Sequence, residues 1–176
     1  MKSIAEKKKG QNIAEYIIYM YQMEDLIRAY DFNMLDIRQY VIAHYPISDT
    51  EKEDTAHWFA SICEQMISEK ISESGHLSEV QVIVDDLAKI HWELLKSDKE
   101  YFEIYNIAKP YVIDMIMEAG DKPVGHEIQV CLNAIYGFLL AKLKGREIPK
   151  GYTEATDAFG NVLSYLGFVY AEKNIT

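Results

Sequence analysis

Proline and glycine are scarce in this chain, four and nine in 176 residues, and most of them fall between periodic apolar segments. That distribution marks helix boundaries and leaves too few turn residues for a β-rich fold. Cysteine is scarcer still. Cys63 and Cys131 stand at no metal-ligand spacing, each among apolar helical positions, and read as two buried reduced thiols. No run of eighteen apolar residues exists, because the richest stretch, Ile13 to Ile27, is broken by Glu15, Gln22, Glu24 and Asp25; a helical membrane span is therefore excluded. The opening MKSIAEKKKGQN carries lysines without an apolar core behind them, so neither a secretory signal nor an anchor is expected, and the chain reads as cytoplasmic. Positive charge is in deficit as well. Eighteen Lys and Arg against 28 Asp and Glu give a net charge of −10, which argues against nucleic acid, whose binding depends on cations displacing counterions.

What is present is helical periodicity. A hydrophobic fraction of 49% with 26% charged residues suits one globular domain. Residues 1–11, with Lys7, Lys8 and Lys9, read as a flexible basic leader, and residues 12–176 as a single helical domain. Seven segments place apolar residues at three- and four-residue steps, and most open with a capping side chain. They begin at Asn12, Asn33, Ser48, Ser78, Ser97 or Asp98, after the GDKPVG turn, and at Thr153. Ser48 with Glu51 forms a capping box, Gly75 offers that third helix a left-handed stop, and Leu77 is placed to staple onto Val82. The fold class expected is all-α, a single-domain bundle of about seven helices, with the fifth kinked or split at Pro110, whose missing N–H frees the Asn106 carbonyl. Gly137, Gly160 and Gly167 lie inside helices, each at up to ~1 kcal/mol relative to alanine. Gly160 and Gly167 share a face on which another helix can approach closely.

Few polar side chains fall on apolar faces. At about 100° per residue Glu24 projects into the centre of the first apolar stripe, beside Ile17 and Met20, and a carboxylate there needs a partner. Arg28, one turn on, and Arg38, beside the second helix's apolar side, are the cations in range. A structural cluster of Glu24, Arg28 and Arg38 joining the first two helices is one reading, and a polar floor for a ligand pocket is the other. His91 lands on the apolar face of the fourth helix as a hydrogen-bonded core residue or a proton-transfer group. A di-metal bundle requires paired Glu-x-x-His motifs; only Glu73-x-x-His76 matches, at a helix end, so no metal and no cofactor are expected. Phosphate-binding glycine loops, nucleophile elbows and zinc-protease signatures are absent.

Thirteen tyrosines are many for this length. Tyr16, Tyr19, Tyr21 and Tyr30 crowd the first predicted helix on more than one side and suggest a second contact surface, for a protein partner or a twin subunit.

The string IAEYIIYMYQMEDLIRAY, Ile13 to Tyr30, resembles the opening of an uncharacterised bacterial family of all-helical domains of unknown function. Its visible elements are Glu15, Tyr16, Tyr19, Met20, Gln22, Glu24, Asp25, Leu26, Ile27 and Arg28. The resemblance implies a match along essentially the whole chain and an all-helical fold, and carries no activity, cofactor or catalytic residue. The functional expectation from the residues is a non-enzymatic helical protein that acts by self-association or by binding a protein partner through the surface around the first helix. The alternative is a small-molecule-binding protein or enzyme with an interhelical pocket floored by Glu24, Arg28 and His91.

Overall fold

The computed structural model describes the backbone of residues 1–174 and side chains through residue 173. Among the described residues there are eight α-helices and no strand: α1 Lys2–Gln11, α2 Ile13–Ala29, α3 Met34–Tyr40, α4 Asp49–Ser68, α5 Ser78–Ser97, α6 Lys99–Ala119, α7 Glu127–Leu143 and α8 Lys150–Asn174. All seven expected helices are present. Packing divides the chain into two compact units, the first comprising Met1–Gln11 and Glu15–Val82, the second Asn12–Ala14 and Ile83–Thr176.

In the first unit local chemistry sets the boundaries. Asn33 caps α3 by accepting from the backbone of Leu35 and Asp36, and Ser48 and Glu51 form the reciprocal capping box of α4. Along α4, Thr55, Ala56, Phe59, Ile62, Cys63 and Met66 are buried at helical spacing, and α1 and α3 pack against this helix. A fully buried side chain such as Phe59 contributes about 1.5–3 kcal/mol. The α4 stop differs from expectation. The helix ends at Ser68, seven residues before Gly75, in a Schellman motif with Lys70 at φ 60° and the Ile71 N–H bonded to the Met66 carbonyl. Nor does the staple form, since Leu77 is buried while Val82 is exposed. α3 is likewise shorter than its periodicity suggested, giving way to a 3₁₀ turn over Ile42–His44.

The segment expected to be a basic leader carries α1, Lys2–Gln11. Ala5 is buried, Lys8 Nζ lies 2.6 Å from Glu15, and the Lys9 ammonium sits over the Tyr16 ring at 5.2 Å. Lysine stems and charges thus find partners that no local pattern reveals.

In the second unit α6, α7 and α8 pack pairwise. α6 opens on Asp98, which caps it by accepting from the Tyr101 N–H. It runs as one helix through Pro110, so of the kink or split expected there, the split does not occur. Pro110 and Asn106 are both exposed, and the Asn106 carbonyl that loses its partner faces water. Gly160 has nothing within 4 Å of an added Cβ, and Gly167 would meet Ile13 at an ordinary 3.6 Å, so no close helix approach accounts for the pair.

Candidate functional site

Glu24 is fully buried, as its place on the α2 stripe required. Its partners are neither of the expected arginines. One carboxylate oxygen lies 2.7 Å from His76 Nδ1 and the other accepts from the Leu77 N–H at 3.0 Å. The His76 ring stacks on Tyr21, centroids 3.5 Å apart.

Arg28 serves the same loop from one turn further along α2. Its guanidinium donates to Asp25 at 2.9 Å and to the carbonyls of Ile71 and Gly75. The loop is also tied end to end, because Ser78 donates from its N–H and its hydroxyl to Glu69. Glu24 and Arg28 therefore anchor the α4–α5 connection onto α2. Arg38 takes no part: it is exposed on α3 and makes a two-pronged pair with Glu53 at 2.9 and 2.8 Å. That pairing raises the Arg38 pKa and lowers that of Glu53.

His91 belongs to the second unit and has partners of its own. It is fully buried, with Nδ1 2.6 Å from the Tyr101 hydroxyl and its ring edge-on to Tyr105. Nε2 is buried and unpartnered among the described residues. Burial pushes the imidazole down to about 4, so it is neutral near pH 7. The Tyr101 ring also lies against Tyr165, whose hydroxyl donates to Asp98 at 2.7 Å and is pushed up to about 12 by that bond. Cys131 is buried and pushed up to about 12 by desolvation, and Cys63 is raised for the same reason, so both thiols are inert.

The tyrosines expected to form an outward contact surface require correction. Tyr16, Tyr19 and Tyr21 are buried, and Tyr30 is half-buried. Tyr19 approaches the Met1 carbonyl and stacks near Trp58, and burial raises its pKa. α2 is covered around most of its circumference, so the aromatics that looked surplus are core.

A cavity lies elsewhere, and none of the expected residues lines it. Within the second unit a cavity of about 580 Å³ lies between α6, α7, the 144–149 connection and the start of α8. Met115, Val130, Ala134, Phe138 and Ile148 give it apolar walls; Glu118, Asn133, Arg146, Glu147 and Tyr152 are its polar groups. Local chemistry shapes its rim. α7 ends in a Schellman motif in which Gly145, at φ 64°, occupies the left-handed position and the Arg146 N–H returns to the Ala141 carbonyl. This turn delivers Arg146 to the lining. Gly137 lies in the α7 wall, and an added Cβ would have nothing within 4 Å. The helix thus accepts a weak helix former where a side chain would project into the cavity. A second cavity of about 270 Å³ shares Met115, Glu118, Pro149 and Tyr152 with the first. The Tyr152 hydroxyl donates to Glu118 at 3.2 Å across this shared wall, and the carboxylate raises the Tyr152 pKa. The only sequence signal for the site was Gly137 inside an apolar helix.

Among the described residues no three His, Cys, Asp or Glu side chains could hold a metal ion together, and no helix is long and apolar enough to cross a membrane. No curated protein and no solved structure matches the chain. A family profile described as a domain of unknown function, DUF4924, matches residues 2–175. With nearly its whole length matched, the chain belongs to the DUF4924 family.

Proposed function

We propose that this protein binds a small organic molecule in the cavity between α6, α7 and the start of α8. The carrying observation is the cavity itself. At about 580 Å³ it falls within the ~300–1,000 Å³ typical of ligand sites, and it combines apolar walls with a few convergent polar groups in the usual proportion. Gly137 supports the reading, because a residue that costs helix stability stands where its lack of a side chain keeps the space open. This moves the pocket away from Glu24, whose carboxylate oxygens are engaged by the protein's own loop, from Arg28, whose guanidinium donates to that loop, and from His91. Association through α2 loses its support with the burial of Tyr16, Tyr19 and Tyr21.

A fluorescence titration with N-phenyl-1-naphthylamine, a neutral apolar dye that emits on leaving water, tests the proposal. Saturable one-to-one binding is expected, and Gly137→Phe, which places a ring in the cavity, should abolish it while the far-ultraviolet circular dichroism stays helical. Dye binding that Gly137→Phe leaves intact, or no saturable binding at all, would refute it.

A further inference from the structure

The two neighbouring cavities differ in charge, and the difference specifies a ligand class. The larger carries Arg146 together with Glu118 and Glu147. The smaller carries Asp114 and Glu118, no cation, and the rings of Tyr111 and Tyr152. Asp114 and Glu118 are one helical turn apart on α6, a like-charge spacing that is unfavourable on a helix, and neither forms an ion pair among the described residues. Carboxylates that line one recess together with two tyrosine rings favour an organic ammonium, through charge attraction and cation–π contact. Tyr152, 41% exposed, stands in the shared wall with its hydroxyl on Glu118. A swing of this one side chain would join the two spaces.

Deepening the proposed binding function, on which it rests, we infer that the ligand is an amphipathic organic cation: its ammonium occupies the small chamber between Asp114, Glu118 and the two tyrosines, and its apolar body fills the large cavity against Phe138 and Val130. The net charge of −10 favours approach of a cation over an anion.

Three compounds with one apolar body separate the claims: 4-phenylbutylamine, protonated at neutral pH, 4-phenyl-1-butanol and 4-phenylbutyrate. Titration calorimetry at neutral pH should rank them ammonium, alcohol, carboxylate, with the ammonium bound roughly tenfold more tightly than the alcohol. Asp114→Asn and Glu118→Gln, conservative changes at exposed positions, should each weaken the ammonium several-fold and the alcohol clearly less. Tyr111→Leu should weaken the ammonium alone. If the alcohol or the carboxylate binds as tightly as the ammonium, or if both amide variants leave the ammonium unaffected, the cation assignment is wrong while the pocket stands. If none of the three binds, the pocket and the assignment fall together.

Discussion

Each unit buries one carboxylate or imidazole on an apolar helical face, Glu24 in the first and His91 in the second, and the two are resolved in opposite ways. Glu24 in the first unit has both carboxylate oxygens occupied, by His76 and by the Leu77 N–H, which come from a loop about fifty residues further along. His91 in the second is neutral and half satisfied, with one nitrogen on Tyr101 and the other unpartnered. A buried carboxylate must be fully bonded because its charge is costly to desolvate; a neutral imidazole tolerates one orphaned nitrogen at about 1–3 kcal/mol. In the first unit a loop has closed around the carboxylate, whereas in the second the neutral ring keeps one nitrogen unpartnered among the described residues.

The comparison breaks first at Glu24. Glu24→Ala removes two hydrogen bonds, leaves the Leu77 N–H and His76 Nδ1 without their acceptor, and opens a void beside Ile17 and Met20. A loss of about 3–5 kcal/mol is expected from urea denaturation. Glu24→Gln keeps an acceptor for Leu77 and should cost clearly less. An alanine variant within 1 kcal/mol of the parent would mean that the loop is not held by this carboxylate.

The next effect is on His91 and appears as pH dependence. Its folded pKa of about 4 lies below the unfolded value near 6.5, so between those limits the unfolded chain binds the extra proton. Its contribution is complete above about pH 6.5 and declines as pH falls toward 4, by up to roughly 3 kcal/mol. His91→Phe, though less stable at neutral pH for leaving the Tyr101 hydroxyl alone, should show a shallower acid slope than the parent. Equal slopes would place the acid sensitivity elsewhere.

What was legible in the sequence follows the range of the interactions. Caps at Asn33 and Ser48 read correctly because each bond spans three residues or fewer, and Asp98 settles a start that the sequence left between Ser97 and Asp98. Glu24 read correctly as buried, since periodicity alone decides that. Its partner did not: His76 is 52 residues away, and nothing local distinguishes a loop that returns from an arginine one turn on. Arg38 was drawn inward by periodicity, yet α3 is seven residues long with Ile37 as its buried residue, too short for a wide apolar face. The tyrosines misled because a hydroxyl suggests water, whereas α2 is enclosed on more sides than one stripe implies. The cavity was hidden for a different reason. It forms where α6, α7 and the 144–149 turn meet, a property of packing that leaves only a glycine as its trace.

Gly137 offers a direct test of the second unit's cavity. Gly137→Ala adds a methyl group into free space and restores helix propensity, so the protein should gain stability, by at most ~1 kcal/mol. Loss of stability instead would show that the space beside α7 is not open in solution. A modest rise in Tm together with weaker dye binding would tie the helix penalty to the cavity directly.

The smallest effect is expected at Arg38, and its smallness separates it from Arg28. Both arginines make paired contacts, but Arg28 donates to loop carbonyls from a largely buried position, while Arg38 meets Glu53 with both partners in solvent. An exposed pair gains little in water even with two prongs, because ordering two long side chains offsets most of the attraction and salt screens the rest. Arg38→Ala should leave the urea midpoint unchanged at physiological ionic strength, and Glu53→Ala likewise. Arg28→Ala should lower it measurably, since the carbonyls of Ile71 and Gly75 lose a shared donor that holds the loop beside Glu24 and His76. Were Arg38→Ala the more damaging of the two, the junction between α3 and α4 would be the critical tie of the first unit, and the anchored loop would be secondary to it.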